Sequence, residues 1–175
     1  MIGDATAIVT WLMKEQRENP ERLYECKEKK QKRSLDANGY YWSILGKLAS
    51  VLTLSRPRLH NMMLRSYGQA EYMDGKLVPV TIPDTDDAEE KALEAETFHI
   101  KPTSQVRQDK DGKSYRTYYL LRGSSTYDTK EFSILLDGLI EEAKEQGIET
   151  LPPLELAKMY EEMRKREEKK KVDHN

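Results

Sequence analysis

The spacing of apolar residues between Tyr41 and Leu52 constrains the fold more than any other stretch of this sequence. Tyr41, Ile44, Leu45, Leu48 and Leu52 fall at i, i+3, i+4, i+7 and i+11, the stripe of an amphipathic helix rather than the alternation of a strand. A helix is therefore expected from about residue 36 to 53. Ser34 is a natural cap for it, and Asp36 in the first turn suits the positive end of the helix dipole. A shorter helix is expected next, opened by Ser55 and Pro57, carried by Leu59, Met62, Met63 and Tyr67, and stopped by Gly68.

The junction ahead of the long helix is the densest in chemistry. Lys30, Lys32 and Arg33 lead into Ser34, where unpaired backbone N–H groups and the dipole favour an anion. A phosphate is the expected ligand. Asn38, in the first turn, either caps the turn or contacts a nucleotide edge or sugar. Trp42 lies one residue off the apolar stripe, but an aromatic at helical spacing is more often core, and the core is its expected place. As a base-stacking ring it is a weaker candidate than Tyr115, Tyr118 and Tyr119, which are interleaved with Arg116 and Arg122.

Charge is segregated along the chain. The net charge of -2 excludes a uniformly basic nucleic-acid binder but not a basic face. Residues 84–96 carry seven acids against Lys91, whereas residues 101–122 carry six basic side chains against Asp109 and Asp111. The acidic stretch is expected to be a solvated, flexible insertion over about 83–96, at most a short exposed helix. The basic stretch has strand-like ends, Phe98-His99-Ile100 and Tyr115 to Leu121, joined through Asp111-Gly112. It reads as a β-hairpin with a basic face. On its second strand Tyr115, Thr117 and Tyr119 point one way and Arg116, Tyr118 and Leu120 the other. One of these faces is expected to be buried.

Elsewhere the pattern is simpler. Residues 4–18 read as a helix capped by Asp4, and residues 22–31 as a strand exposed on one face or as a helix. Asp74-Gly75 has hairpin chemistry. Gly123 to Tyr127 is a loop in which Ser124, Ser125 and Thr126, beside Arg122, either cap the next helix or hold a second phosphate. Asp128 and Glu131 form an acidic capping box for a helix carrying Phe132, Leu135, Leu136, Leu139, Ile140 and Ala143. After Pro152-Pro153 a last helix reaches about Lys170, its outer end almost all Glu, Lys and Arg. That end is expected to protrude into solvent. The expected class is α+β, a small antiparallel or mixed sheet packed by several helices, with a domain over residues 1–150 and a charged helix over 151–175.

Several chemistries find no pattern. The single Cys26 excludes an intrachain disulfide and a cysteine metal cluster within one chain. No apolar run approaches the roughly 18 residues that span a bilayer, and the chain reads as soluble and cytoplasmic. There is no Walker-type glycine loop, and no Ser-His-Asp or Cys-His arrangement has local support. His60 is expected on a helix surface and His99 within a strand, neither with a partner that makes it a ligand or a base. No catalytic residue, metal or cofactor is assigned.

Two blocks together resemble a known family. Arg33-Ser34-Leu35-Asp36-x-Asn38-x-x-x-Trp42-x-x-Leu45-Gly46 resembles the start of the signature helix of the NinB (Orf) family of phage recombination proteins. Ser124-Ser125-Thr126 followed by Glu131-Phe132-x-x-Leu135-Leu136 and Gly147 resembles that family's second block. The likeness covers residues 22–54 and 115–165, with Ala37 standing where the family usually has Gln. It implies a homodimeric recombination mediator of a phage or prophage, binding single-stranded or branched DNA without sequence preference. A host single-strand-binding protein or recombinase is an implied partner. Lys30, Lys32, Arg33, Ser34, Asn38, Arg116, Arg122, Ser124, Ser125 and Thr126 are then the expected DNA contacts. The rival expectations are a metal-dependent nuclease acting on branched DNA and a protein-interaction module.

Overall fold

Helix α1 (Ala5–Glu18) opens the chain. The computed structural model describes residues 5–22, 24 and 37–172, and the chain divides into two compact units, Met1–Arg33 and Ser34–Asn175. In the first unit Tyr24 donates its hydroxyl to Glu15 at 2.5 Å and meets the Trp11 ring edge-on at 5.3 Å. The expected cap Asp4 and most of the expected 22–31 segment lie outside the described residues.

The second unit holds the remaining described helices and both sheets. Helix α2 (Ala37–Leu52) buries Tyr40, Tyr41, Ile44, Leu45, Leu48 and Ala49; of the stripe only Leu52, at the helix end, is exposed. Helix α3 (Arg56–Tyr67) starts where Ser55 accepts a hydrogen bond from the Arg58 N–H, with Pro57 in its first turn. A short hairpin follows, β1 (Tyr72–Met73) and β2 (Lys76–Leu77), turning through Asp74 and Gly75, both at positive φ. Strand β3 (Pro79–Pro83), helix α4 (Asp86–Glu94), and strands β4 (His99–Gln108) and β5 (Ser114–Leu121) come next. Strand β5 is central, paired antiparallel with β3 on one side and β4 on the other. A 3-10 turn over Ser124–Thr126 leads to α5 (Thr129–Glu145), whose Asp128–Glu131 capping box is complete. Gly147 at φ 70° closes that helix, and α6 (Pro153–Val172) ends the described chain. The fold is α+β, a small antiparallel three-strand sheet and a two-strand sheet packed against helices.

Two apolar cores result. The larger joins α2, α3 and α5, with Leu135, Leu136 and Leu139 fully buried, and takes in Met159 from α6. Truncating any of those leucines to Ala is expected to cost about 2–5 kcal/mol. Met159 and the flanking Leu156, Tyr160 and Met163 dock the base of α6. From Arg164 to Arg166 its side chains are exposed. The smaller core lies on one face of the sheet, where Ala92 of α4 meets Ile100 and Tyr118, flanked by Val80, Ile82 and Leu120.

The acidic stretch is therefore not a solvated linker. It folds as α4 because Thr85 accepts from the Ala88 N–H as its cap and because Ala92 and Leu93 are buried. Its carboxylates face the cations of α3: Arg58 pairs with Glu90 and Glu94, and Arg65 pairs with Glu89. Glu89 also accepts from the Tyr118 hydroxyl at 2.6 Å. Burial alone would raise its pKa, but the bonds from Arg65 and Tyr118 outweigh that and hold the carboxyl below its usual range. Among the described residues no helix is long and apolar enough to cross a membrane.

Candidate nucleic-acid interface

The register of the three-strand sheet decides which of its side chains are available. Val80 and Ile100 lie in the rows of Tyr118 and Leu120, and this is the face α4 covers. On the opposite face Tyr119 is flanked by Pro79 and Lys101, and Tyr115 by Pro83 and Arg107. Both tyrosines are half-buried, outside either core, while Lys101 and Arg107 are exposed. Two aromatic rings about 13 Å apart along one strand, each with a cation beside it, form one row. Lys110 and Lys113 at the exposed hairpin turn extend the positive charge. Asp109 in the same turn accepts from the Asp111 and Lys113 N–H groups, at 2.9 Å each.

Arg116 and Arg122, the expected cations of this strand, are spent on carboxylates. Arg116 projects to the α4 side and bonds Asp84 (Nε to Oδ1, 2.7 Å) and the Thr103 carbonyl. Arg122 bonds Glu131 (2.7 Å) and the Thr126 carbonyl, with its guanidinium 5.5 Å over the Tyr127 ring. Six residues apart on one chain direction, they stand about 20 Å from each other and do not converge. Lys101 and Arg107 hold the open-face positions instead. Lys30, Lys32, Arg33 and Ser34 lie outside the described residues.

The remaining expected contacts do come together. Asn38 and the Ser124–Thr126 turn line one cleft of about 610 Å³, lined also by Met163 and Arg166 of α6. Trp42 stands one helical turn beyond Asn38 and so shares its face of α2. It is 37% exposed, not a core residue: the stripe that buries Tyr41 turns the neighbouring ring outward. Its indole rests on His60, with centroids 4.8 Å apart.

Behind this wall is a polar cluster that the sequence reading did not anticipate. His60 and His99 are each only 6% exposed, and their rings meet edge-on at 5.5 Å. His60 Nδ1 lies 2.8 Å from the Tyr41 hydroxyl, and its Nε2 lies 3.5 Å from Ser124 Oγ. His99 Nδ1 is 2.7 Å from Asn61 Oδ1. Asn61 in turn donates to the carbonyls of Pro57, Leu93 and Ala95. Burial, reinforced by His99, pushes the His60 pKa down to about 4, and burial lowers that of His99. Both imidazoles are neutral at pH 7. His60 is thus not on the helix surface, and both histidines have partners. The sequence signal was spacing: His60 stands three and four residues before Met63 and Leu64, on the apolar side of α3.

Among the described residues no group of three or more His, Cys, Asp and Glu side chains is arranged to hold a metal ion. Comparison with protein-family models, with curated proteins and with solved structures finds no match to this chain.

Proposed function

We propose that the protein binds single-stranded DNA, or the single-stranded arm of branched DNA, on the open face of the β3–β5–β4 sheet. The observation that carries this reading is the pair of cross-strand neighbours Lys101–Tyr119 and Arg107–Tyr115 on the face opposite α4. Bases stack on exposed aromatic rings whatever their identity, each worth about 1–3 kcal/mol. Adjacent cations take the phosphates and release counterions. Neither interaction reads sequence, which suits a protein that organises DNA for recombination, as the resemblance of residues 22–54 and 115–165 to phage recombination proteins implies.

The test is a salt titration of binding to labelled single-stranded, duplex and branched DNA, with single-stranded RNA alongside. Single-stranded and branched DNA should bind more tightly than duplex, with affinity falling as salt rises. Binding that is indifferent to salt, or equal on blunt duplex, removes the proposal.

A further inference from the structure

The hydrogen positions in the buried cluster can be assigned from its partners. The Asn61 amide nitrogen faces three carbonyl oxygens at 2.7–3.1 Å, so Oδ1 is the atom turned to His99. A carbonyl oxygen only accepts, and His99 Nδ1 therefore carries the proton. Its Nε2 is left as a bare lone pair, with no partner among the described residues. It lies beside Gly123, where an added Cβ would sit 3.9 Å away. Tyr41 is fully buried, its phenol kept protonated by burial, and among the described residues the one acceptor its hydroxyl meets is His60 Nδ1. That donation places the second imidazole proton on His60 Nε2, which points at Ser124 over a long 3.5 Å. A serine hydrolase would need the reverse tautomer, with a lone pair toward the hydroxyl. The cluster is instead a fixed donor and a fixed acceptor turned toward the Gly123–Ser124 corner.

Three features converge at that corner. Ser124 is shared between His60 and the cleft, the cleft is of the size that small ligands occupy, and Trp42 offers an exposed aromatic face on the same side of α2 as the cleft-lining Asn38. A planar ligand with a hydrogen-bond acceptor next to a donor on one edge matches all three. Nucleobases have that form. His99 also lies on the same sheet face as Lys101, two residues before it on β4, so the corner adjoins the end of that face.

We propose that this corner is a nucleobase pocket. One base of the bound strand stacks on Trp42 and presents its edge to His60 Nε2–H and His99 Nε2. This rests on the single-strand reading above and adds to it a site for one base. Trp11→Phe leaves Trp42 as the single indole of the chain, and its fluorescence reports the pocket directly. Deoxyadenosine, deoxycytidine, deoxyguanosine and thymidine are titrated against 2-deoxyribose as control. At least one nucleoside should quench Trp42 saturably while deoxyribose does not, and His99→Ala should weaken that nucleoside at least tenfold. Methylating the base's own donor nitrogen should weaken it equally, which tests the contact even where a histidine variant fails to fold. Absence of nucleoside quenching, or quenching untouched by the methylated base, overturns the pocket. The Lys101→Ala/Arg107→Ala variant keeps the two proposals apart. If it loses oligonucleotides but still takes nucleosides, pocket and sheet face are separate sites, both real. If oligonucleotides bind and nucleosides do not, the pocket alone falls; if neither binds the parent protein, both readings fall.

Discussion

Lys101 and Tyr119 are direct partners across the β4–β5 ladder, and both stand on the face of the sheet that α4 leaves uncovered. The pair behaves as one unit, a ring for a base and a cation for the phosphate beside it. Replacing Lys101 or Arg107 with Ala should weaken single-stranded DNA binding and reduce the slope of log affinity against log salt by about 0.7 per lost phosphate contact. Thermal stability should barely move, since both side chains are exposed. An unchanged salt slope would place the phosphates elsewhere.

Tyrosines on the two faces of β5 should separate cleanly. Tyr119→Ala or Tyr115→Ala is expected to cost about 1–3 kcal/mol in binding single-stranded DNA, with Phe restoring most of it. Tyr118, 3% exposed and held by Glu89, should act on stability: its Ala variant should lose about 3–5 kcal/mol in a urea titration, the range of buried aromatic truncations.

Gly138 on α5 carries the ring of Tyr67. A Cβ there would lie 2.5 Å from the ring, too close for any side chain to share the space. Gly138→Ala should destabilise by about 1–3 kcal/mol, measured by denaturant unfolding, while DNA affinity at a temperature where the variant is folded stays as it was.

Buried, neutral His60 sets an acid limit on the fold. Its pKa is near 4 in the native state and about 6.5 unfolded, so between those values the unfolded chain binds the extra proton. Stability should therefore fall as pH drops from about 6.5 toward 4, by up to about 1.4 kcal/mol per pH unit from this residue, and its contribution should level off below 4. A His60→Gln variant should show a shallower decline over that window. Equal slopes in both proteins would show that His60 does not titrate this way.

Elements whose determinants are local were legible. Helices α2, α3 and α5, the Asp74-Gly75 turn and the hairpin around Asp111-Gly112 follow from stripes, caps and turn residues within a few positions. Helix α4 was obscured because its stabilising partners, Arg58 and Arg65, are far away in sequence. Five-residue β3 was hidden between a hairpin and an acidic run, its two prolines masking a strand. The α4 position also decides the site. Once that helix covers the Tyr118 row, Arg116 turns toward Asp84 and the open row belongs to Tyr115 and Tyr119. His60 and His99 lie in separate elements, and no periodicity links them. Their meeting depends on Asn61, whose amide ties α3 to the end of α4 while its oxygen receives the β4 histidine.

The sheet is also self-limiting. On one border strand Pro79 and Pro83 offer no amide hydrogens. On the other, the irregularity between Pro102 and Val106 breaks the ladder, and Arg65 already occupies the Ile100 carbonyl. A flat, unguarded rim invites a foreign chain to extend the ladder, whereas these rims resist it. Two copies of this protein that meet rim to rim are thereby denied a continuous ladder.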